Sequence, residues 1–588
     1  MKSRFLVAFL LAATAQFAAA DDLDLVHVQL KVFEPEPELG WSSLMGHGES
    51  ENGSGERLLS SPTLLLQAGK WATVDAVREI VYPTEYDPAS VPEEFSENGG
   101  EKPYPANKAG TFLPPHPGAF ESRDLGLKLQ IRPEFTADGS VKVEVKYEQT
   151  ALKGFVNYGT PITAEHKGLL GKSKPRVMLE NQILVPSFQT QKNSFTIEPG
   201  DKAQSIQLRP KEGNEEVEFV EFAESLRSSG LPTLRIEVEA KRVKTGLQSA
   251  ASAEVDAAAE TRMWELTMFG KNALRQDSVE PVEGKPEPAA ADVAEQFREL
   301  GIEVSSATVD PDGELKVTAN PAALERIDKL VLLYNDGAQI YITSRYIETD
   351  APIDSEFAKP LMTDADRQVF LRAMNQQRGV DLLSAPSIMA RSSQAARIEV
   401  VQEFLYPVSY DPPAILKGDE KEGAGVKVFP ISPANPTEFN TKSLGVILDI
   451  EEVLLYEDSS IQLSFRPQVV EFEGFLNFGE SIVMSGKDRI GQKVKVNVSD
   501  NEIQAPIFRR REISSTVRIP DGSAVLLGGI VKTSKSHVQD KVPLLGDLPL
   551  VGKLARSEVE IESTRYLYIM IQVSLVKSNG QPVAAVQF

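Results

Sequence analysis

The chain has 588 residues, 41% of them hydrophobic and 25% charged, with 62 Lys and Arg against 85 Asp and Glu for a formal net charge of −23. This is enough apolar material for several domains, and so acidic a surface argues against nucleic acid, whose affinity comes from cations that neutralise phosphates. The absence of cysteine excludes disulfides, thiolate metal sites and a cysteine nucleophile.

The N-terminus places Lys2 and Arg4 before an apolar run from Phe5 to Ala13, then Ala18-Ala19-Ala20 before Asp21. That order predicts a secretory signal peptide at 1–20, cleaved between Ala20 and Asp21. No other segment approaches the roughly 18 apolar residues of a spanning helix. A membrane-bound form would have to use β-structure.

An internal repeat follows. Residues 58–88 (LLSSPTLLLQAGKWATVDAVREIVYPTEYDP) align with 382–412 (LLSAPSIMARSSQAARIEVVQEFLYPVSYDP) at an offset of 324, with 12 identities in 31 positions; composition alone would give roughly two. The match continues at slightly different offsets, as if intervening loops differ in length. Leu125-Gly126 answers Leu444-Gly445, Gly154-Phe-Val-Asn-Tyr-Gly159 answers Gly474-Phe-Leu-Asn-Phe-Gly479, and Asn181 to Pro186 answer Asn501 to Pro506. Each copy alternates apolar and polar residues with the period of a strand, as at Val141, Val143 and Val145 or from Leu567 to Leu575. The alternation suits a sandwich and a barrel wall equally. A long irregular insertion follows each Tyr-Asp-Pro, at about 89–121 and 413–440.

Between the copies, 246–260 and 276–291 are rich in Ala, Pro, Glu and Ser and predict linkers around a short strand at 261–269. An α-β-β-α pattern comes next. Asp292 is placed to cap a helix with Val293, Phe297 and Leu300 on one face, ended by Gly301; a hairpin at 302–318 turns at Asp310-Pro-Asp-Gly313; Pro321 opens a second helix. Asp310-x-Asp312-Gly lacks the later ligands of a calcium loop and predicts a plain turn.

Near the C-terminus, Val517 to Leu527 predicts a hairpin turning at Pro520-Asp521-Gly522, with Gly528-Gly529 allowing a bulge or the close approach of another backbone. Then Val542-Pro543-Leu544-Leu545-Gly546-Asp547 and Leu548-Pro549-Leu550-Val551-Gly552-Lys553-Leu554 repeat an extended apolar step ended by a glycine turn.

Val542-Pro543-x-Leu545-Gly546-Asp547-Leu548-Pro549-x-Val551-Gly552-x-Leu554, placed after an Asp-Gly…Gly-Gly element, resembles the clasp segment of bacterial secretins, the outer-membrane channels of type II and III secretion and type IV pilus systems. Leu383-Ser-Ala-Pro386, Leu444-Gly-Val446 and a closing strand at 566–576 fall in that family's order. Ala555 stands where the family usually has Phe, and the first copy has no clasp.

The resemblance implies a mainly β chain with two secretin-like β-modules separated by a small αββα unit of the ring-building type, and a multi-chain β-barrel. The expected division is signal peptide 1–20, a degenerate first module 21–245, linker with a short strand 246–291, small α/β domain 292–336, secretin domain 337–577 and tail 578–588. The implied function is a homo-oligomeric outer-membrane pore subunit with a periplasmic portion. Its partners would be itself, periplasmic secretion or pilus machinery and the outer membrane, with no nucleic acid. The insertion at 413–440 would supply gate hairpins.

The other reading is a non-channel periplasmic or surface scaffold that binds envelope proteins. Catalytic signals are lacking: His27, His47, His116, His166 and His537 are isolated, and no phosphate-binding glycine loop appears. No cofactor or metal is expected.

Overall fold

The computed structural model describes residues 25–35, 56–92, 106–107, 111–167, 173–198, 203–210, 219–222, 226, 231–245, 259–274, 291–354, 357–415, 431–487, 493–541, 556–577 and 579–581. The chain is mainly β. The principal strands of the first repeat are β1 (Leu25–Pro35), β2 (Thr63–Gln67), β3 (Ala72–Asp87), β4 (His116–Phe135), β5 (Val141–Asn157), β6 (Leu184–Ile197), β7 (Gln204–Leu208) and β8 (Leu234–Val243). Those of the second follow in the same sequence: β9 (Gln339–Thr349), β10 (Ser387–Ala390), β11 (Ala396–Asp411), β12 (Asn435–Leu455), β13 (Ile461–Asn477), β14 (Gln504–Ile519), β15 (Ala524–Lys541) and β16 (Arg556–Val576). Each strand therefore has its counterpart eight places on.

Period-two alternation explains these strands. In β5 the side chains of Val141, Val143 and Val145 are buried while Lys142, Glu144 and Lys146 face outward. In β16 the aliphatic face from Leu567 to Leu575 enters the main core, and Tyr568 and Met570 on the other face are buried too. They lie in a separate cluster with Phe370 and Met374 of a helix at Asp364–Gln376. A capping box of Thr363 and Asp366 opens that helix.

The strands build two sheets that share one core. One runs β6-β5-β4-β3-β14-β13-β12-β11, all antiparallel neighbours. The other runs β7-β8-β1-β2-β15-β16-β9, with β10 and Val380–Ser384 both on β9. In both sheets the repeats join in the same sense, the start of the first against the end of the second.

Irregularities recur at matching places. The β3–β4 register shifts between Pro83 and Tyr86, and β11–β12 between Pro407 and Tyr410. The β5–β6 shift at Ser187/Phe188 matches the β13–β14 shift at Phe472/Gly474. A further bulge lies between Ile450 and Glu452 of β12, with no counterpart in β4. That extra residue, and not a loop, accounts for the offset growing from 319 at Gly445 to 320 at Ile461.

The unit between the repeats has a sheet in the order 260–265, 314–319, 304–309, 291–292. The strand expected inside the linker is thus an edge strand of this unit, followed by a short helix at Met268–Leu274. The helix expected to be capped by Asp292 runs from Ala294 to Glu299; Asp292 lies in a strand, and its Oδ1 accepts from Ala294 N at 3.0 Å. Asp310 Oδ1 accepts from Gly313 N and Glu314 N at 2.8 and 2.7 Å, which makes the plain turn expected. Helix Pro321–Asn335 is capped by Asn320 and buries Leu324, Ile327 and Leu330.

Two other expectations need correcting. Strands β14 and β15 are not a hairpin, since β14 pairs with β13 and β3 while β15 pairs with β16 and β2. Pro520-Asp521-Gly522 is instead a corner between the two sheets. The insertions are also shorter than expected, because β4 begins at His116 and β12 at Asn435.

Candidate assembly site

The Gly-Phe-x-Asn-aromatic-Gly element repeated in the sequence is a joint between strands. Asn157 Oδ1 accepts from Gly159 N and Ile183 N, both at 2.9 Å, and Asn477 Oδ1 accepts from Gly479 N and Ile503 N at 3.0 and 2.9 Å. A Cβ on Gly159 would stand 1.6 Å from the Asn181 carbonyl oxygen, and one on Gly479 would stand 1.8 Å from that of Asn501. Asn181 and Asn501 themselves hold φ of 54° and 48°, which an Asn tolerates better than most residues. Tyr86 and Tyr410, from the two Tyr-Asp-Pro segments, donate to Leu184 O at 3.0 Å and Gln504 O at 3.3 Å.

Gly445, in the Leu-Gly-Val segment, has φ +136°, and a Cβ there would meet Val400 O at 2.3 Å; Gly126 stands in the same relation to Ala76 O at 2.4 Å. These positions fix how closely β3 packs on β4 and β11 on β12. The sequence marked them as repeated without showing the carbonyls they admit.

Between the repeats runs a seam. In one sheet β3 pairs with β14 from Thr73↔Ser514 to Ile80↔Ile507. In the other, Thr63 of β2 pairs with Gly528 of β15, and Ser61 N donates to Gly529 O at 2.9 Å. Gly528-Gly529 serves both expected roles. The β15–β16 register shifts there, and a Cβ on Gly529 would lie 1.9 Å from Ser61 O.

Charges lace the seam. Lys442 reaches Glu79 at 2.5 Å, Arg510 pairs with Asp124 at 2.7 Å, and Arg78 pairs with Glu473 at 2.9 Å. Behind it Arg511 is fully buried between the sheets, paired with Glu348 at 2.5 Å and Glu471 at 3.2 Å, and Lys532 also holds Glu471 at 2.8 Å. Nothing in the run Arg509-Arg510-Arg511 separated this buried cation from its more exposed neighbours.

Of the other residues singled out in the sequence, Asp521 Oδ1 accepts from Leu575 N at 2.7 Å and Gly522 takes φ +75°, so both belong to the corner. The segment Val542, Pro543, Leu545, Gly546, Asp547, Pro549, Gly552 and Leu554 lies outside the described residues, as do Ala20 and Asp21. Of the insertion at 413–440, the base is described: Ala414–Ile415 pairs with Ile431–Ser432. Among the described residues no group of His, Asp and Glu is placed to hold a metal ion, and no helix is long and apolar enough to cross a membrane.

The first repeat's apolar seam residues are covered, whereas the matching residues of the second are open. Val81 is 2% exposed and its counterpart Leu405 62%; Leu65 is 0% and Met389 57%. At the other end the pattern reverses, with Phe478 at 7% and its first-repeat counterpart Tyr158 at 70%.

Residues 373–577 match the family described as Secretin, bacterial type II and III secretion system protein. The chain is similar to Secretin OutD of Dickeya dadantii, 24% identical over 213 residues covering 36% of this chain and 24% of that protein. It is likewise similar to Secretin PulD of Klebsiella pneumoniae, 25% identical over 213 residues covering 36% of this chain and 26% of that protein. The match thus spans about a quarter of the length of these relatives. Among solved structures, the type II secretin GspD from enteropathogenic Escherichia coli is 16% identical, with 54% of this chain and 88% of that chain covered and a TM-score of 0.22.

Proposed function

Starting from a Secretin match that covers the second repeat from residue 373 to 577, we propose that the chain is a subunit of a homo-oligomeric outer-membrane channel. In this reading many copies share one β-barrel, stacked on rings of small periplasmic units such as the one at 260–335, and pass folded protein or a pilus fibre. On the same reading the insertion expected at 413–440 supplies a gate, and the clasp segment at 542–554 braces the wall.

The observation that carries this reading is the row of open apolar residues in the matched region. Leu382, Leu383, Met389, Val400 and Leu405 are all exposed on its outer strands. In the second repeat both sheets therefore end on apolar strands whose outer edge carries, among the described residues, at most the single bridge Ser409↔Ala119, and such edges are a liability unless another strand covers them. Closing a wall across chains removes them.

The test is extraction from membranes in mild detergent followed by imaging. Rings with a central channel are expected; a soluble monomer or dimer would sink the proposal.

A non-channel scaffold has one observation in its favour. Arg397, Glu399, Asp449, Glu451 and Arg466 form ion pairs on outward positions of β11, β12 and β13, where a lipid-facing wall would carry apolar residues. Rings without a lumen, or discrete small assemblies in the soluble fraction, would support that alternative.

A further inference from the structure

We infer that the open edge of the second repeat is covered by the first repeat of another copy of this chain, with β11 pairing on β6 of its neighbour as β3 pairs on β14 within one chain. This rests on the homo-oligomer proposed above and specifies its joint.

The argument is one of equivalent edges. Strand β14 uses one edge for β13 and the other for β3; its counterpart β6 uses the matching edge for β5 and has no strand on the other among the described residues. Strand β3 lies between β4 and β14, while its counterpart β11 has β12 on one side. On its other side the described pairing is a single bridge near its end, Ser409↔Ala119. The internal seam thus shows what fits each open edge, and one chain carries both halves. Such a contact joins different patches head to tail, so it closes into a ring when its rotation permits.

The register transfers directly. Offsets of 324 for β3 to β11 and 320 for β6 to β14 turn the internal pairs Asp75↔Glu512 and Glu79↔Phe508 into Glu399 opposite Lys192 and Glu403 opposite Phe188. A cation lies at or beside each of these places. Glu399 meets a cation directly. Arg123 stands over the Phe188 ring at 4.6 Å as its counterpart Lys442 stands over Phe508 at 5.6 Å, and Lys442 is the residue that reaches Glu79. Arg123 of one chain is therefore placed to reach Glu403 of the next.

The second sheet follows less closely. Where the internal seam has Gly528-Gly529, the first repeat has Leu208-Arg209, so the close approach of Ser61 to Gly529 cannot be reproduced by Ala385. The β11–β6 pairing carries the joint. Each chain then contributes two consecutive wall repeats, and a ring holds twice as many repeats as chains.

The natural chain has no cysteine, which makes thiol cross-linking clean. Lys192→Cys and Glu399→Cys in one full-length chain, treated with a short bis-thiol reagent in membranes, should give a ladder of covalent multimers on a denaturing gel. Lys192→Cys with Val408→Cys, about 30 Å out of register at some 3.3 Å per residue, should give none. Rings in the images without the 192–399 ladder would overturn this joint while leaving the homo-oligomer standing; absence of both would overturn the two together.

A charge exchange provides an independent readout. Arg123→Glu should lower the fraction in rings about tenfold through like-charge repulsion, and adding Glu403→Arg to the same chain should restore it. Failure of the double variant to recover, with both forms folded, would also overturn the joint.

Discussion

Asn157 and Asn477 do the same work in the two repeats, each accepting two backbone N–H groups at a joint closed by glycine, whereas Gln191 and Arg511, at matching positions, do not. Arg511 is buried among Glu348, Glu471 and Lys532; in the first repeat Gln191 and Ala151 replace two members of that group. The repeats agree where a strand must bend at a set place, and differ where a surface meets a neighbour. Backbone geometry leaves few alternatives, since only Gly admits a carbonyl at under 2 Å from a would-be Cβ. A surface can be rewritten whenever its partner changes.

The largest expected effect tests the difference. Arg511→Ala leaves Glu348 without its buried cation and Glu471 with Lys532 alone, and should cost about 3–5 kcal/mol, whereas Gln191→Ala should stay within about 1 kcal/mol. Denaturant midpoints of the two variants check this, and equal losses would dissolve the contrast. Next, Gly159→Ala and Gly479→Ala should each cost about 2–3 kcal/mol by overpacking against an Asn carbonyl. Similar losses by thermal unfolding would show that the joints are equivalent, and a tolerated change in one repeat would break the equivalence.

Asn157→Ala and Asn477→Ala each strand two N–H groups at a half-buried site and should cost about 1–2 kcal/mol, read from the same melts together with faster amide exchange at Ile183 or Ile503. The smallest effect is a gain. Ser459 and Ser393 hold φ of +62° and +61° where the first repeat has Gly139 and Gly69. Relief of that strain, partly offset by the freer unfolded chain, should make Ser459→Gly stabilising by roughly 0.5 kcal/mol. Loss of stability on that substitution would mean that Ser459 makes a contact which Gly139 does not replace.

Much of this was legible in the sequence because a repeat exposes what is held constant. The Leu-Gly and Gly-Phe-x-Asn-aromatic-Gly elements stood out by offset alone, and the alternation from Val141 or Leu567 marked strands correctly. Roles were not legible, because the carbonyl of Asn181 reaches Gly159 only after the strands fold together. Pro520-Asp521-Gly522 shows why local chemistry misleads: it specifies a tight turn, yet which sheet the chain enters afterwards depends on partners far away in sequence. The helix at Asp364–Gln376 does carry a local signal, a Thr363-x-x-Asp366 cap followed by Phe370 and Met374 on one face. Burial of Arg511 and exposure of Leu405 left no local trace.

The small unit at 260–335 occurs once per chain among the described residues, while the wall repeat occurs twice. If consecutive repeats continue around a ring, a collar built from the small units has half as many units as the wall has repeats. Alternate wall repeats then stand directly over a tether and the others over a gap, a mismatch of number written into the covalent structure of a single chain.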